Sequence, residues 1–167
     1  PYDFIFNLSA LKHVRSEKDI FSLVRMININ VINSLKINEL CIRMGTKKYF
    51  CVSTDKAANP VNMMGASKLI MEKLLLSTEN YQNIAFARFA NVAFSDGSLL
   101  HGFKQRIFNK QPITAPADIK RYFISPKEAG ILCLFASVYG KNGDIYIPSS
   151  NCGLQLTKFT SITERFL

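Results

Sequence analysis

Short, continuous apolar runs alternate along this chain with longer segments whose apolar residues recur every three or four positions. The short runs are Asp3-Phe4-Ile5-Phe6-Asn7-Leu8, Tyr49-Phe50-Cys51-Val52-Ser53 and Asn83-Ile84-Ala85-Phe86-Ala87-Arg88-Phe89. Their length and their aromatic and β-branched content predict buried strands. Between the first two, Ile20, Leu23, Val24, Ile27, Val31 and Leu35 share one face of a helix running to about Arg43, with Gly45 as its stop. Ala66, Leu69, Ile70, Lys73 and Leu74 mark a second helix. Strand, helix, strand, helix, strand predicts an α/β fold in which a doubly wound parallel sheet is covered on both faces. Crossovers in such sheets are right-handed, and ligands sit at the carboxyl ends of the strands. The residues that follow Leu8, Ser53 and Phe89 are therefore the places to look for chemistry.

The later chain is more mixed. Leu99, Leu100, Phe103 and Ile107 have helical spacing. Ser125-Pro126-Lys127-Glu128 opens a helix that should run through Val138: serine caps, proline fits the first position, and glutamate completes a capping box. Asp144-Ile145-Tyr146-Ile147 reads as a strand, and Thr157 as the cap of a last helix ending near Phe166.

Composition narrows the class. The 167 residues are 48% hydrophobic and 20% charged, which suits one globular domain and excludes wholesale disorder. No stretch is expected to reach the roughly 18 apolar residues of a membrane helix, and no N-terminal signal pattern is seen. The chain starts at Pro1, so this start is not expected to be the natural one. Lys plus Arg number 21 against 12 Asp plus Glu, a net charge of +9 that favours an anionic partner. The basic residues are scattered and form no run of the kind that marks a nucleic-acid arm. Cys41, Cys51, Cys133 and Cys152 lack CxxC spacing, which predicts buried free thiols in a reducing cytoplasm. Two histidines make a His-rich metal site improbable, and no metal is expected.

After the second strand comes Ser53-Thr54-Asp55-Lys56-Ala57-Ala58-Asn59-Pro60. Two hydroxyls, a carboxylate and an amine stand together at a strand end, either as a site or as a solvated polar turn. Met63-Met64-Gly65-Ala66-Ser67-Lys68 opens the next helix and puts Met64 and Lys68 on one face. A lysine near a helix start is opposed by the helix dipole. Contact with a ribose or phosphate would explain it there; a snorkelling surface lysine is the plain alternative.

The run from Ser53 to Lys68 resembles the active-site segment of nucleotide-sugar 4,6-dehydratases, in the CapD-like polysaccharide biosynthesis group of the extended short-chain dehydrogenase/reductase superfamily. The UDP-N-acetylglucosamine 4,6-dehydratases are the nearest in kind. Leu8-Ser9-Ala10-Leu11-Lys12-His13-Val14 is similar to the family's segment after its fourth strand. Arg88-Phe89-Ala90-Asn91-Val92, Ser95-Asp96-Gly97-Ser98 and Arg121-Tyr122-Phe123 are similar to its nucleotide-sugar segments. The resemblance implies residues 1–94 as the second half of a Rossmann-like NAD(P)-binding domain. It implies residues 95–167 as part of a small substrate-binding region that also supplies the last sheet strand.

The resemblance also implies a reaction. NAD or NADP takes hydride from C4 of the sugar, a base removes the acidified C5 proton, water leaves from C6, and hydride returns to C6. Lys56 would be the base, Asp55 the acid that protonates the departing hydroxyl, and Thr54 a helper. Ordinary lysine (about 10.4) and aspartate (about 3.9) values hold both in the wrong state, so such a pair must exchange its proton in a dry pocket. Lys68 would contact the nicotinamide ribose, with Asn30 and Ala10 also at the cofactor. Lys12, Asn91 and Arg121 would approach the nucleotide sugar. Arg88 is as well suited to a structural ion pair, and His13 to a structural role.

Three departures from the family pattern matter. Met64 stands where the superfamily carries tyrosine, and a thioether cannot take up a hydroxyl proton. Thr54, Asp55 or a water held by Lys68 would have to replace the phenol; packing is the plain role of Met64. Asp96 stands where many family members carry arginine. No glycine-rich phosphate loop is present, the first glycine being Gly45. The expectation is therefore a dehydratase lacking the first part of its cofactor domain, with an exposed sheet edge and apolar helix faces. A complete parent is expected to be a cytoplasmic homo-oligomer. An epimerase and a non-catalytic nucleotide-sugar-binding protein are the rival readings; nucleic-acid binding is the most distant.

Overall fold

A computed structural model describes residues 2–12, 17–77, 83–149 and 155–165. In chain order the elements are β1 (Phe4–Asn7), α1 (Ile20–Ile27), α2 (Asn33–Arg43), β2 (Lys48–Thr54), α3 (Met63–Ser77), β3 (Ile84–Phe89), β4 (Asn91–Val92), α4 (Leu99–Phe108), β5 (Lys120–Arg121), β6 (Phe123–Ile124), α5 (Pro126–Tyr139), β7 (Ile145–Tyr146), β8 (Thr157–Lys158) and α6 (Phe159–Glu164). They form two compact units, 1–88 with 131–147 and 89–130 with 148–167.

The first unit holds a four-stranded sheet in the order β1-β2-β3-β7. β1 runs parallel to β2, from Phe4 opposite Lys48 to Asn7 opposite Cys51, and β3 runs parallel to β7. The core joins Val31, Cys41, Tyr49, Cys51, Met71, Leu75, Ile84 and Phe86. β1 is the sheet edge among the described strands, and it leaves Phe4 and Phe6 exposed. Lys48 is buried; its ammonium donates to Asn83 Oδ1 at 3.0 Å and to the Gly140 carbonyl at the end of α5.

The first predicted helix is present but turns differently. Asp19 caps it, accepting from the Ser22 amide at 2.8 Å. A π-helical turn, Asn28–Ile32, joins α1 to α2. The extra residue in that turn rotates the face that follows. Met26, Asn30, Val31, Ser34, Asn38 and Cys41 point inward, while Ile20 and Val24 of the predicted stripe are exposed. Gly45, at φ +68°, ends the helix as expected. The Thr46 amide returns to the Cys41 carbonyl and the Gly45 amide to that of Ile42.

Within the continuous helical run Ile20–Arg43, an 18-residue window of mean hydropathy 1.3 is apolar enough, by length and composition alone, to cross a membrane. Core helices meet the same two criteria, so the expectation of no membrane segment is not overturned. Its inward face carries Asn30 and Ser34, both hydrogen-bonded within the α/β unit.

The second unit is built from short pairs. β4 pairs parallel with β6, and β5 pairs antiparallel with β8. Ser98 caps α4. The predicted capping box at α5 forms: the Ser125 amide donates to Glu128 Oε2 at 2.6 Å, and the Glu128 amide to Ser125 Oγ at 3.2 Å. Thr157 does not cap the last helix. It pairs with Arg121 in β8, and Lys158 takes the cap position without a side-chain bond. The predicted end near Phe166 lies outside the described residues.

Candidate active site

The carboxyl end of β2 turns directly into a 3-10 segment, Asp55–Ala57. Thr54 opens that turn, its hydroxyl oxygen accepting from the Lys56 amide at 3.4 Å. The same hydroxyl donates to Asp55 Oδ1 at 3.0 Å, and Lys56 Nζ reaches that oxygen at 3.2 Å. Hydroxyl, carboxylate and ammonium thus converge on one oxygen atom. The Asp55 and Lys56 side chains are partly exposed, at 45% and 29%, so the group faces solvent rather than the core.

α3 begins against this turn. Asn62 Oδ1 accepts from the Gly65 amide at 2.9 Å, and Glu17 Oε2 from that of Met63 at 2.8 Å. A Cβ added at Gly65 would lie 2.7 Å from the Lys56 carbonyl oxygen. Glycine is what lets the helix and the turn approach so closely.

Met64 and Lys68 share a face, as the spacing predicted, and both are buried. Lys68 is not a snorkelling surface residue: it is only 4% exposed. Its Nζ donates to the Val52 carbonyl at 3.1 Å and the Ser9 carbonyl at 3.4 Å, with Met71 Sδ at 3.9 Å. Burial pulls its pKa down to about 8, against the opposing pull of Cys51 and Glu72. It therefore bridges the ends of β1 and β2.

Asn30 is likewise more than a stray polar residue. It is fully buried and clamps Leu11 on both sides. Its Oδ1 accepts from the Leu11 amide at 2.9 Å, and its Nδ2 donates to the Leu11 carbonyl at 3.0 Å and to Ser67 Oγ at 3.0 Å. The loop carrying Ala10 and Lys12, both exposed, is held in this way over the end of β1.

The second unit places Asn91 in β4, where its side chain donates to the Tyr122 carbonyl at 3.2 Å. Arg121 lies exposed in β5, with its guanidinium 5.9 Å from the centre of the Phe159 ring. An open pocket of about 370 Å³ in this unit is lined by Phe94, Leu100, Phe123, Thr157, Ile162 and Arg165 among others. Asp96 is fully exposed, 3.8 Å from His101. His13 and Cys152 lie outside the described residues. No cluster of His, Cys, Asp and Glu able to hold a metal occurs among the described residues.

Several supporting residues were not singled out from sequence. Asn7 donates to Tyr49 Oη at 2.9 Å and Ser34 Oγ at 3.0 Å, and accepts from the Ser9 amide at 3.2 Å. Burial holds the Tyr49 phenol and the Cys51 thiol far up, the latter to about 12, so both stay neutral. Arg88 does form an ion pair, with buried Glu72, and Ser53 donates to the same carboxylate. One signal was available: Asn30, Ser34 and Asn38, like Met64, Lys68 and Glu72, recur every four residues.

A family described as "Polysaccharide biosynthesis protein" matches residues 1–162. The chain belongs to that family. Among the family's relatives, the chain is 38% identical over 152 residues to an uncharacterized membrane protein of Methanocaldococcus jannaschii. It is 32% identical over 156 residues to a UDP-N-acetylglucosamine 4,6-dehydratase (inverting) of Campylobacter jejuni. It is 31% identical over 154 residues to a UDP-glucose 4-epimerase of Rickettsia canadensis. These alignments cover 87–89% of this chain and 45% of each relative, so the chain spans about half the length of the curated relatives it matches.

Solved structures agree on the fold. A UDP-glucose 4-epimerase from Thermotoga maritima, solved with UDP-glucose, superimposes with a TM-score of 0.84 at 19% identity, covering 98% of this chain and 60% of that one. The Bordetella bronchiseptica enzyme WbmF, solved with NAD+, gives 0.81 at 16% identity, covering 99% and 57%. The chain thus has the Rossmann-like α/β fold of these neighbours, over about half of their length.

Proposed function

We propose that this chain carries the catalytic segment of an NAD(P)-dependent nucleotide-sugar 4,6-dehydratase acting on UDP-N-acetylglucosamine or a close analogue. The observation that carries this reading is the convergence of Thr54, Asp55 and Lys56 on one carboxylate oxygen at the end of β2. Elimination of water needs one group to take the C5 proton and another to protonate the departing C6 hydroxyl. An adjacent amine and carboxylate supply both; at 29% and 45% exposed they do not lie in the dry pocket expected from sequence, so bound substrate would have to exclude water from them.

Lys68 tests whether a nicotinamide ribose fits. Its ammonium has three donors, and among the described residues two meet carbonyls while the third faces only a thioether. A ribose hydroxyl would supply the missing oxygen. Lys68 would hold that ribose, and Asn30 would keep the loop in place. When bound, NAD(P)+ supplies the hydride acceptor for C4 and returns the hydride to C6.

The chain's own residues then move the protons. Met64 is a weak acceptor only, so the C4 hydroxyl proton passes through Thr54 to Asp55. Lys56, which must enter the step as the neutral amine, removes the C5 proton and becomes the ammonium. Asp55, now protonated, gives its proton to the C6 hydroxyl, which leaves as water. Lys56 returns a proton to C5 as hydride reaches C6. The Arg121 guanidinium is suited to a diphosphate, and Lys12 and Asn91 are each candidates for nucleotide-sugar contact.

The similarity to UDP-glucose 4-epimerases favours a second reading, inversion at C4. That reaction needs no acid at C6. Mass spectrometry of the product of the intact protein separates them: loss of one water marks the dehydratase, and an isobaric product marks the epimerase. We place the site in the cytoplasm, in keeping with the substrate class and with Cys41, Cys51 and Cys133 as buried free thiols.

A further inference from the structure

Lys68 and Glu72 lie one helical turn apart on α3 and hold consecutive residues of β2. Lys68 Nζ donates to the Val52 carbonyl at 3.1 Å, and Ser53 Oγ donates to the Glu72 carboxylate. Arg88 on β3 holds that carboxylate from the other side. Its Nε donates to Oε1 at 2.9 Å and a terminal amino group donates to Oε2. Glu72 is 1% exposed and Ser53 5%. Three elements therefore meet at one buried carboxylate, immediately before Thr54.

The proton transfers above use none of these groups. Packing alone does not call for them either, because apolar residues in place of a buried ion pair are often as stable or more so. What charged hydrogen bonds add is direction. The Ser53 hydroxyl, the carboxylate and the guanidinium have fixed geometries, and the strand residue they fix is bonded directly to the one that opens the reactive turn.

We propose that Glu72 is a positioning residue: clamped by Arg88, it holds Ser53 and so fixes the end of β2 from which Thr54, Asp55 and Lys56 project. This inference rests on the reading of that turn as catalytic. A misplacement of about 1 Å in such a site costs on the order of a hundredfold in rate.

The test is Ser53→Ala in the intact protein, which removes the tether and leaves the Glu72–Arg88 pair intact. Ser53→Thr, which keeps the hydroxyl, is the rescue. Turnover of UDP-N-acetylglucosamine and amide hydrogen exchange at 54–57 are read together. Ser53→Ala should lower kcat by about tenfold or more, leave KM within about threefold, and speed exchange at 54–57 but not in the core. Ser53→Thr should restore both. Unchanged exchange at the turn overturns the proposal. So does a rate loss that threonine does not restore, or faster exchange throughout the core, since either marks a merely structural role. Exchange is read whether or not the parent turns over, so an inactive parent counts against the assigned reaction and leaves the exchange result to decide the tether.

Discussion

Replacing Gly65 by alanine places one methyl group between α3 and the reactive turn. That carbon would lie 2.7 Å from the Lys56 carbonyl oxygen and 3.2 Å from both the Lys56 carbonyl carbon and its Cβ. Ordinary contact requires about 3.4 Å or more, so the turn must retreat by about 0.7 Å. The obstacle is backbone, not the end of a flexible side chain, so the whole Asp55–Ala57 segment has to move. Overpacking of this kind costs about 1–3 kcal/mol, and the gain in helix propensity offsets up to about 1 kcal/mol of it. The net loss of stability is therefore small, about 0–2 kcal/mol, while the displacement acts directly on Lys56. In the intact protein, kcat should fall at least about tenfold, with the urea midpoint shifting little. Gly130→Ala is the control, because its Cβ meets nothing within 4 Å; it should stabilise by about 0.5–1 kcal/mol and leave turnover alone. Turnover by Gly65→Ala within twofold of the parent would refute the claim that the turn's position carries the chemistry.

Other substitutions probe the support beneath the turn. Asn30→Ala leaves the Leu11 amide and carbonyl without their partner, and should cost about 2 kcal/mol in denaturant unfolding while loosening exchange at residues 8–12. Arg88→Met strands the buried Glu72 carboxylate and should cost about 3–5 kcal/mol; Arg88→Met with Glu72→Met should recover most of it. Lys68 titrates near 8 in the folded chain and near 10.5 unfolded, so below pH 8 its buried charge penalises folding by about 3 kcal/mol. Between those values the unfolded chain binds more protons. The parent's stability should therefore rise with pH from 8 to 10.5 relative to Lys68→Met, and a flat difference across that range would contradict the assignment.

Features set by local chemistry were legible in the sequence. Gly45 stops its helix because a left-handed residue is needed there, and Ser125 with Glu128 caps α5 because both partners lie within four residues. The turn after β2 was legible because a strand end in a parallel sheet is where polar groups gather. The first helix face was not. The π turn at Asn28–Ile32 shifts its register, and Asn30 is drawn inward by a backbone partner nineteen residues away. Thr157 carried a cap signal that lost to strand pairing with Arg121. Glu72 and Ser53 were silent because their meaning lies in Arg88, which reaches them only after β2, α3 and β3 are assembled.

The central claim is that Lys56 exchanges the C5 proton of a nucleotide sugar while Asp55 assists loss of water. Incubating the intact protein with UDP-N-acetylglucosamine in deuterated water, and reading the product by mass spectrometry and proton NMR, tests it most directly. The expected product is lighter by one water and carries deuterium at C5, with neither change for Lys56→Ala. Deuterium at C5 with Lys56→Ala, or an isobaric product from the parent without C5 exchange, would contradict it.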